Sequence, residues 1–171
     1  RTVPMMPDLR ACLWRCHERS AEKSPFVAAS GRGGGPLRPE SISRLARTAL
    51  DRGGQTQVRL LDLRHDWILR QLETQDWPTV ARLSGVEVPA LQARFAALAP
   101  ERPPAAQREA GPVDEFKLWK ILQAEGDTPA GLALWLTWQM GLQAAEIVAL
   151  TWEQVDFAAN CIRLPDRQVE L

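Results

Sequence analysis

What this chain lacks narrows it first. It contains no tyrosine, so it offers no phenol as a nucleophile. Its three cysteines, Cys12, Cys16 and Cys161, are an odd number and give no fully paired disulfide framework. They read as buried free thiols in a reducing cytoplasm. Cys12 and Cys16 are four apart with His17 beside them, yet the second ligand pair of a usual zinc motif is missing. No metal and no cofactor is therefore expected. No apolar run approaches the ~20 residues of a membrane span, and no signal-peptide pattern opens the chain. The expected location is the cytoplasm, with no membrane partner. Arg1 in place of an initiator Met points to a fragment or a processed product.

Charge of one sign is also lacking. The formal net charge is zero, with 21 Lys+Arg against 21 Asp+Glu. The distribution is uneven: residues 1–100 carry a net of +5 and residues 101–171 a net of −5. A duplex-binding domain draws most of its affinity from phosphate neutralisation, so this balance favours weak DNA binding or a local basic patch. Lysine is scarce, at 3 against 18 arginines. Arginine suits bidentate contacts to phosphate or carboxylate, although a GC-rich genome gives the same bias. The glycine-rich stretch Gly31 to Gly35 has no preceding strand and no Lys-Ser/Thr after it, so it reads as a mobile connection rather than a phosphate loop.

Hydrophobic residues make up 45% of the chain, enough for one domain with a real core. Residues 1–6 read as a short strand, with Pro4 marking an edge or an end. Pro7-Asp8 opens a helix to about Glu18 with Leu9, Leu13 and Cys16 inward. Ser24 to Val27 reads as a short extended piece. A helix from Arg38-Pro39 to Gly53-Gly54 should bury Ile42, Leu45, Ala46, Ala49 and Leu50. Leu61 to Phe95 reads as two or three amphipathic helices: Leu63, Trp67, Leu69 and Leu72 face inward on the first, then Val80 and Leu83, then Leu91 and Phe95. Residues 99–113, with four prolines, form a linker. Asp114-Glu115 then begins a helix carrying Phe116, Leu118, Trp119, Ile121 and Leu122. Asp127-Thr128-Pro129 caps another, apolar nearly all round and so central, ending at Gly141. Residues 161–164 read as a strand, and residues 165–168 as a turn. The seven tryptophans are expected mainly in the core.

Two segments carry a resemblance. Gly141-Leu142-Gln143-Ala144-Ala145-Glu146, with Leu150, Trp152 and Asp156, resembles the Gly-Leu-Arg-x-x-Glu-x-x-x-Leu-x-Trp segment of tyrosine recombinase (phage integrase) catalytic domains. Leu61-Asp62-Leu63-Arg64 stands where that family has His-x-x-Arg. Val86, 22 residues past Arg64, stands at the family's His/Trp position, and Phe95, nine further on, at its tyrosine nucleophile. The resemblance implies a mainly α fold with a small β hairpin or sheet. It also implies that the catalytic positions are degenerate: Gln143 for the first Arg, Leu61 and Val86 for the proton-transfer groups, and Phe95 for the nucleophile. Only Arg167 or Gln168 lies near the place of the catalytic Lys. Arg64 alone survives, either as a phosphate contact or as an ion-pair partner of an acid such as Glu146. His65 reads as structural.

The two segments occur in reversed order. Joining Leu171 to Arg1 gives CIRLPDRQVELRTVPMMPDLRACL, which is similar to one continuous family hairpin and its helix. The chain thus resembles a circularly permuted catalytic domain: residues 1–98 as the family's C-terminal half, 99–113 as the bridge, and 114–171 as its N-terminal half, together one domain. A cut from a tandem array, or a homo-oligomer exchanging a hairpin or terminal segment, would give the same order. The implied function is a non-catalytic protein that binds double-stranded DNA through Arg64, Arg59, Arg44 and Arg47. The alternative is a protein-interaction or self-assembly module without DNA binding.

Overall fold

A computed structural model of the chain describes residues 1–31, 34–98 and 113–165. Most of the linker and the residues from 166 onward, with Arg167, Gln168 and Leu171, lie outside the described residues. The fold is mainly helical with a small antiparallel sheet. Strand β1 (Thr2–Pro4) is followed by helices α1 (Pro7–Ser20), α2 (Pro39–Arg52), α3 (Leu60–Thr74), α4 (Trp77–Ser84) and α5 (Val88–Phe95). After residue 112 come α6 (Glu115–Glu125), α7 (Pro129–Met140), α8 (Ala144–Ala149), a 3-10 turn (Trp152–Gln154) and strands β2 (Val155–Asp156) and β3 (Cys161–Arg163).

Helix α7 is the axis of the molecule. Ala130 to Thr137 are all buried, so it is surrounded rather than half-solvated. It packs against α1, α2, α3, α6 and α8. Its start is fixed by the Thr128 hydroxyl, which accepts from the Gly131 amide at 3.1 Å, with Pro129 at the first helical position. Gly141 ends it at φ 65°, a left-handed turn that glycine adopts without a steric penalty.

The sheet has strand order β1-β3-β2, all antiparallel, with Val3 opposite Ile162 and Val155 opposite Ile162 on the other edge. The pairing reaches past the strand ends: the Leu164 amide donates to the Arg1 carbonyl at 2.7 Å, and the Arg1 amino terminus donates to the Leu164 carbonyl at 2.6 Å. The beginning of the chain therefore lies against strand β3, and this pairing is made within a single chain. Thr151 bridges to Phe26 across a short extended stretch.

Two apolar clusters form the interior. The larger is built around α7 from α1, α2, α6, α8 and the sheet. The smaller gathers Trp67, Ile68, Val80, Val86, Leu91 and Phe95 from α3, α4, α5 and the turn between α4 and α5. Some inward expectations are corrected. Leu45 is 37% exposed on α2, and Phe116 and Trp119 are 67% and 38% exposed on α6. Helix α6 buries only Leu118, Ile121 and Leu122, a stripe with steps of three and one. Phe116 and Trp119 flank that stripe and fall outside it. Leu69, Leu72 and Leu83 are half-buried at the margin of the smaller cluster. Trp14 is exposed, edge-on to Phe157 at 5.0 Å. Val113, at the end of the linker, is half-buried and packs on the larger core. Among the described residues no helix is long and apolar enough to cross a membrane.

Candidate functional site

Arg64 sits where the two signature segments meet. It projects from the first half of α3 and is 1% exposed, the largest of the fully buried side chains. Its Nη1 donates to the Gly141 carbonyl at the end of α7, and its Nη2 donates to the Ser84 carbonyl at the end of α4 at 3.1 Å. Ser84 is the last residue of α4 and Gly141 the capping residue just past α7, so neither carbonyl has an intrahelical donor of its own. Both helices end on a left-handed glycine, Gly141 and Gly85. The sequence thus supplies two chain reversals whose orphan carbonyls converge, and one guanidinium whose planar fork reaches both.

Glu146 completes the arrangement. Its Oε2 lies 3.8 Å from Arg64 Nη1 and accepts from the Gln143 amide at 2.9 Å, the reciprocal half of a capping box on α8. Its Oε1 pairs with the Arg1 guanidinium. One carboxylate therefore faces two arginines, each with a side chain only 1% exposed. Burial pushes the Arg64 guanidinium down to about 10; Glu146 counters this shift and the Arg1 charge adds to it. Arg64 Nε has no hydrogen-bond partner among the described residues.

The other predicted positions divide between interior and surface. Val86 and Phe95, 3% and 1% exposed, belong to the smaller apolar cluster. Phe95 meets the His65 ring edge-on at 5.3 Å. Burial, with the Arg94 charge next in weight, pushes His65 below its ordinary range. Leu61 is 44% exposed at the start of α3. Gln143 is half-buried and caps α8. These positions surround Arg64, through Ser84 beside Val86, His65 beside Phe95, and Glu146 in the box with Gln143. Arg64, Val86 and Phe95 are buried, and Leu61 is at the surface. Arg64 is placed for an internal clamp and turns no surface toward a phosphate.

The remaining DNA-contact candidates differ. Arg44 is exposed on α2. Arg47 is half-buried, with Nε 2.9 Å from Asp51 and Nη1 donating to the Val58 carbonyl at 3.2 Å. Arg59 is exposed at the N-cap of α3, its amide held by Asp62 at 2.7 Å.

One group escaped the sequence reading. Cys12, Cys16 and Asp127 bring their sulfurs and a carboxylate oxygen within 4.8 Å of one another, a possible cation-holding set among the described residues. The Cys-x-x-x-Cys spacing was the only local signal, because Asp127 lies 111 residues beyond Cys16. His17 takes no part: its ring packs against Trp14, Trp152 and Phe157. No protein-family model matches the chain, and neither a curated protein nor a solved structure matches it.

Proposed function

We propose that this chain is a catalytically inactive domain on the frame of a tyrosine recombinase catalytic domain, joined in permuted order, and that it binds double-stranded DNA without cutting it. The observation that carries the inactive part is the use made of Arg64. Its charge is taken up by two backbone carbonyls and Glu146, and the neighbouring Phe95 has no oxygen with which to attack a phosphodiester. The contact between the Arg64 segment and the Gly141–Glu146 segment, together with the Arg1–Leu164 pairing, supports the permuted frame. The DNA part rests on Arg44 and Arg59, both exposed, in the half of the chain with a net charge of +5.

Fluorescence anisotropy with labelled duplex DNA across a salt series tests this. Two phosphate contacts give a log–log slope of about −1.8. Removing Arg44 or Arg59 should lower that slope by about 0.9 each. Binding that is absent at low salt, or insensitive to both substitutions, sinks the proposal.

A second reading, a protein-interaction or self-assembly module, is favoured by Phe116 and Trp119, exposed on the same helix. Sedimentation of the parent chain against a Phe116→Ser/Trp119→Ser variant separates the two. A self-associating parent and a monomeric variant, with no DNA binding in either, would establish the second reading for self-assembly.

A further inference from the structure

We propose that Cys12, Cys16 and Asp127 bind a divalent ion of the zinc class, and that the ion fastens α1 to the turn that precedes α7. Cys12 and Cys16 are one helical turn apart on α1, so both sulfurs leave the same face of the helix. That face meets the Gly126–Asp127 turn. Cys12 Sγ lies 3.8 Å from Asp127 Oδ1 and 3.5 Å from the Gly126 carbonyl oxygen, and Cys16 Sγ lies 3.6 Å from the Asp127 carbonyl oxygen. A tetrahedral zinc with bonds of about 2.3 Å to sulfur and 2.0–2.2 Å to oxygen separates its sulfur and oxygen ligands by about 3.5–3.7 Å. The spacing between Cys12 and the carboxylate is within a few tenths of an ångström of that edge, and all three donor atoms lie within 4.8 Å of one another.

The donor set points to the class of ion. Two thiolates favour soft or borderline ions and disfavour magnesium and calcium, which take oxygen ligands. Two thiolates, one carboxylate and a dication sum to a charge of −1. Arg15 and Arg19 are already placed to balance it, with guanidinium nitrogens 3.1 and 2.8 Å from the Asp127 carboxylate oxygens. Hydrogen bonds of this kind to a ligating carboxylate orient it toward the ion. Arg19 Nη2 also lies 3.7 Å from Cys16 Sγ. The sulfurs must lose their protons to bind the ion, so binding releases protons. Cys12 and Cys16 are buried, whereas the Asp127 side chain is 18% exposed, so the carboxylate is the ligand that meets solvent.

The full chain, reduced and stripped with a chelator, is titrated with Co²⁺ and then Zn²⁺. We expect one equivalent of Co²⁺ to give thiolate-to-metal charge-transfer bands that Zn²⁺ abolishes, and zinc to raise the thermal midpoint. Asp127→Asn should weaken binding, and Cys12→Ala or Cys16→Ala should remove the charge-transfer bands. Cys161→Ala should leave them unchanged, since Cys161 lies in β3 outside the cluster. If the α1 cysteine variants do not fold, alkylation of the parent decides: bound zinc should protect Cys12 and Cys16 and leave the rate at Cys161 unchanged. No thiolate bands with excess Co²⁺, bands that depend on Cys161, or alkylation of Cys12 and Cys16 at the same rate with and without zinc overturns the proposal.

Discussion

The Arg64 guanidinium donates to the carbonyl of Gly141, 77 residues away along the chain, and in doing so ties the first half of α3 to the end of α7. The same group holds the Ser84 carbonyl at 3.1 Å. A buried charge is weak evidence of stabilisation by itself, because desolvation offsets much of its attraction. Its removal is a different matter, since it leaves two buried carbonyls without their donor.

Arg64→Met should therefore destabilise the fold by about 2–4 kcal/mol, at about 1–3 kcal/mol for each acceptor left unsatisfied and with some relief from the lost desolvation. That is a large share of the ~5–15 kcal/mol typical of a domain. Arg64→Lys should recover only part of it, because an ammonium lacks the planar fork needed to serve two carbonyls at once. Urea denaturation of both variants checks the order; a Met variant as stable as the parent would show that the clamp contributes nothing.

Gly141→Ala probes the same junction from the backbone side. Gly141 is held at φ 65°, and an added Cβ would enter the Trp67 ring, 2.7 Å from Cδ2. The left-handed conformation costs roughly 1–2 kcal/mol for a residue with a Cβ, and overpacking adds about 1–3 kcal/mol. Gly54→Ala is the control: at φ 77° with nothing within 4 Å of its Cβ, it should show the backbone cost alone. Equal shifts in the urea midpoint for the two would mean that Trp67 moves aside freely.

Much of this architecture was legible in local pattern. Helix α7 announced its central place by being apolar all round, and the Thr128-Pro129 start and Gly141 stop set its ends. On α2, Ile42, Ala46, Ala49 and Leu50 are buried as their spacing requires. Leu45, Phe116 and Trp119 were not so readable. Periodicity places residues on a face, but how wide a face is covered depends on neighbours that no local window contains. The continuity across the two ends suggested that Arg1 should neighbour Leu171; Leu171 lies outside the described residues, and Arg1 meets Leu164. The Cys16–Asp127 meeting was invisible, because a contact spanning 111 residues leaves no periodic trace.

His65 should make stability depend on pH in a narrow window. Burial lowers its pKa from the ordinary 6.5, Arg94 lowers it further, Asp62 opposes and Arg64 adds a smaller lowering. Between the folded pKa and about 6.5 the unfolded chain binds more protons than the folded one. The His65 contribution is thus complete above about pH 6.5 and is lost as pH falls through that window. His65→Phe, which keeps a ring against Phe95, should flatten this part of the urea-midpoint profile relative to the parent. Asp76, Asp114 and Asp156 have pKa values lowered mainly by hydrogen bonds they accept. Their contributions are present above about pH 4 and are lost only as pH falls further. A parent profile that is flat from pH 7 to 5 would contradict the role given to His65.

The last prediction concerns the chemistry that the motif frame suggests and the side chains withhold. Incubated with a nicked suicide duplex, the parent chain should form no covalent adduct on a denaturing gel. Phe95→Tyr should not change that. Phe95 is 1% exposed and packed among Trp67, Ile68, Val80, Val86 and Leu91, so a new hydroxyl would enter an apolar interior and cost about 1–3 kcal/mol without a partner. Even if it reached a phosphate, the transition state would lack an arginine at position 143, and Arg64 would have to abandon Gly141 and Ser84 to help. A single missing charge-stabilising donor lowers a rate by about 10²–10³. Several losses on one step do not simply multiply, but together they leave no observable turnover. An adduct from Phe95→Tyr alone would mean that the interior opens to DNA and that Arg64 is free to leave its carbonyls; an adduct from the parent chain would mean that another side chain is the nucleophile.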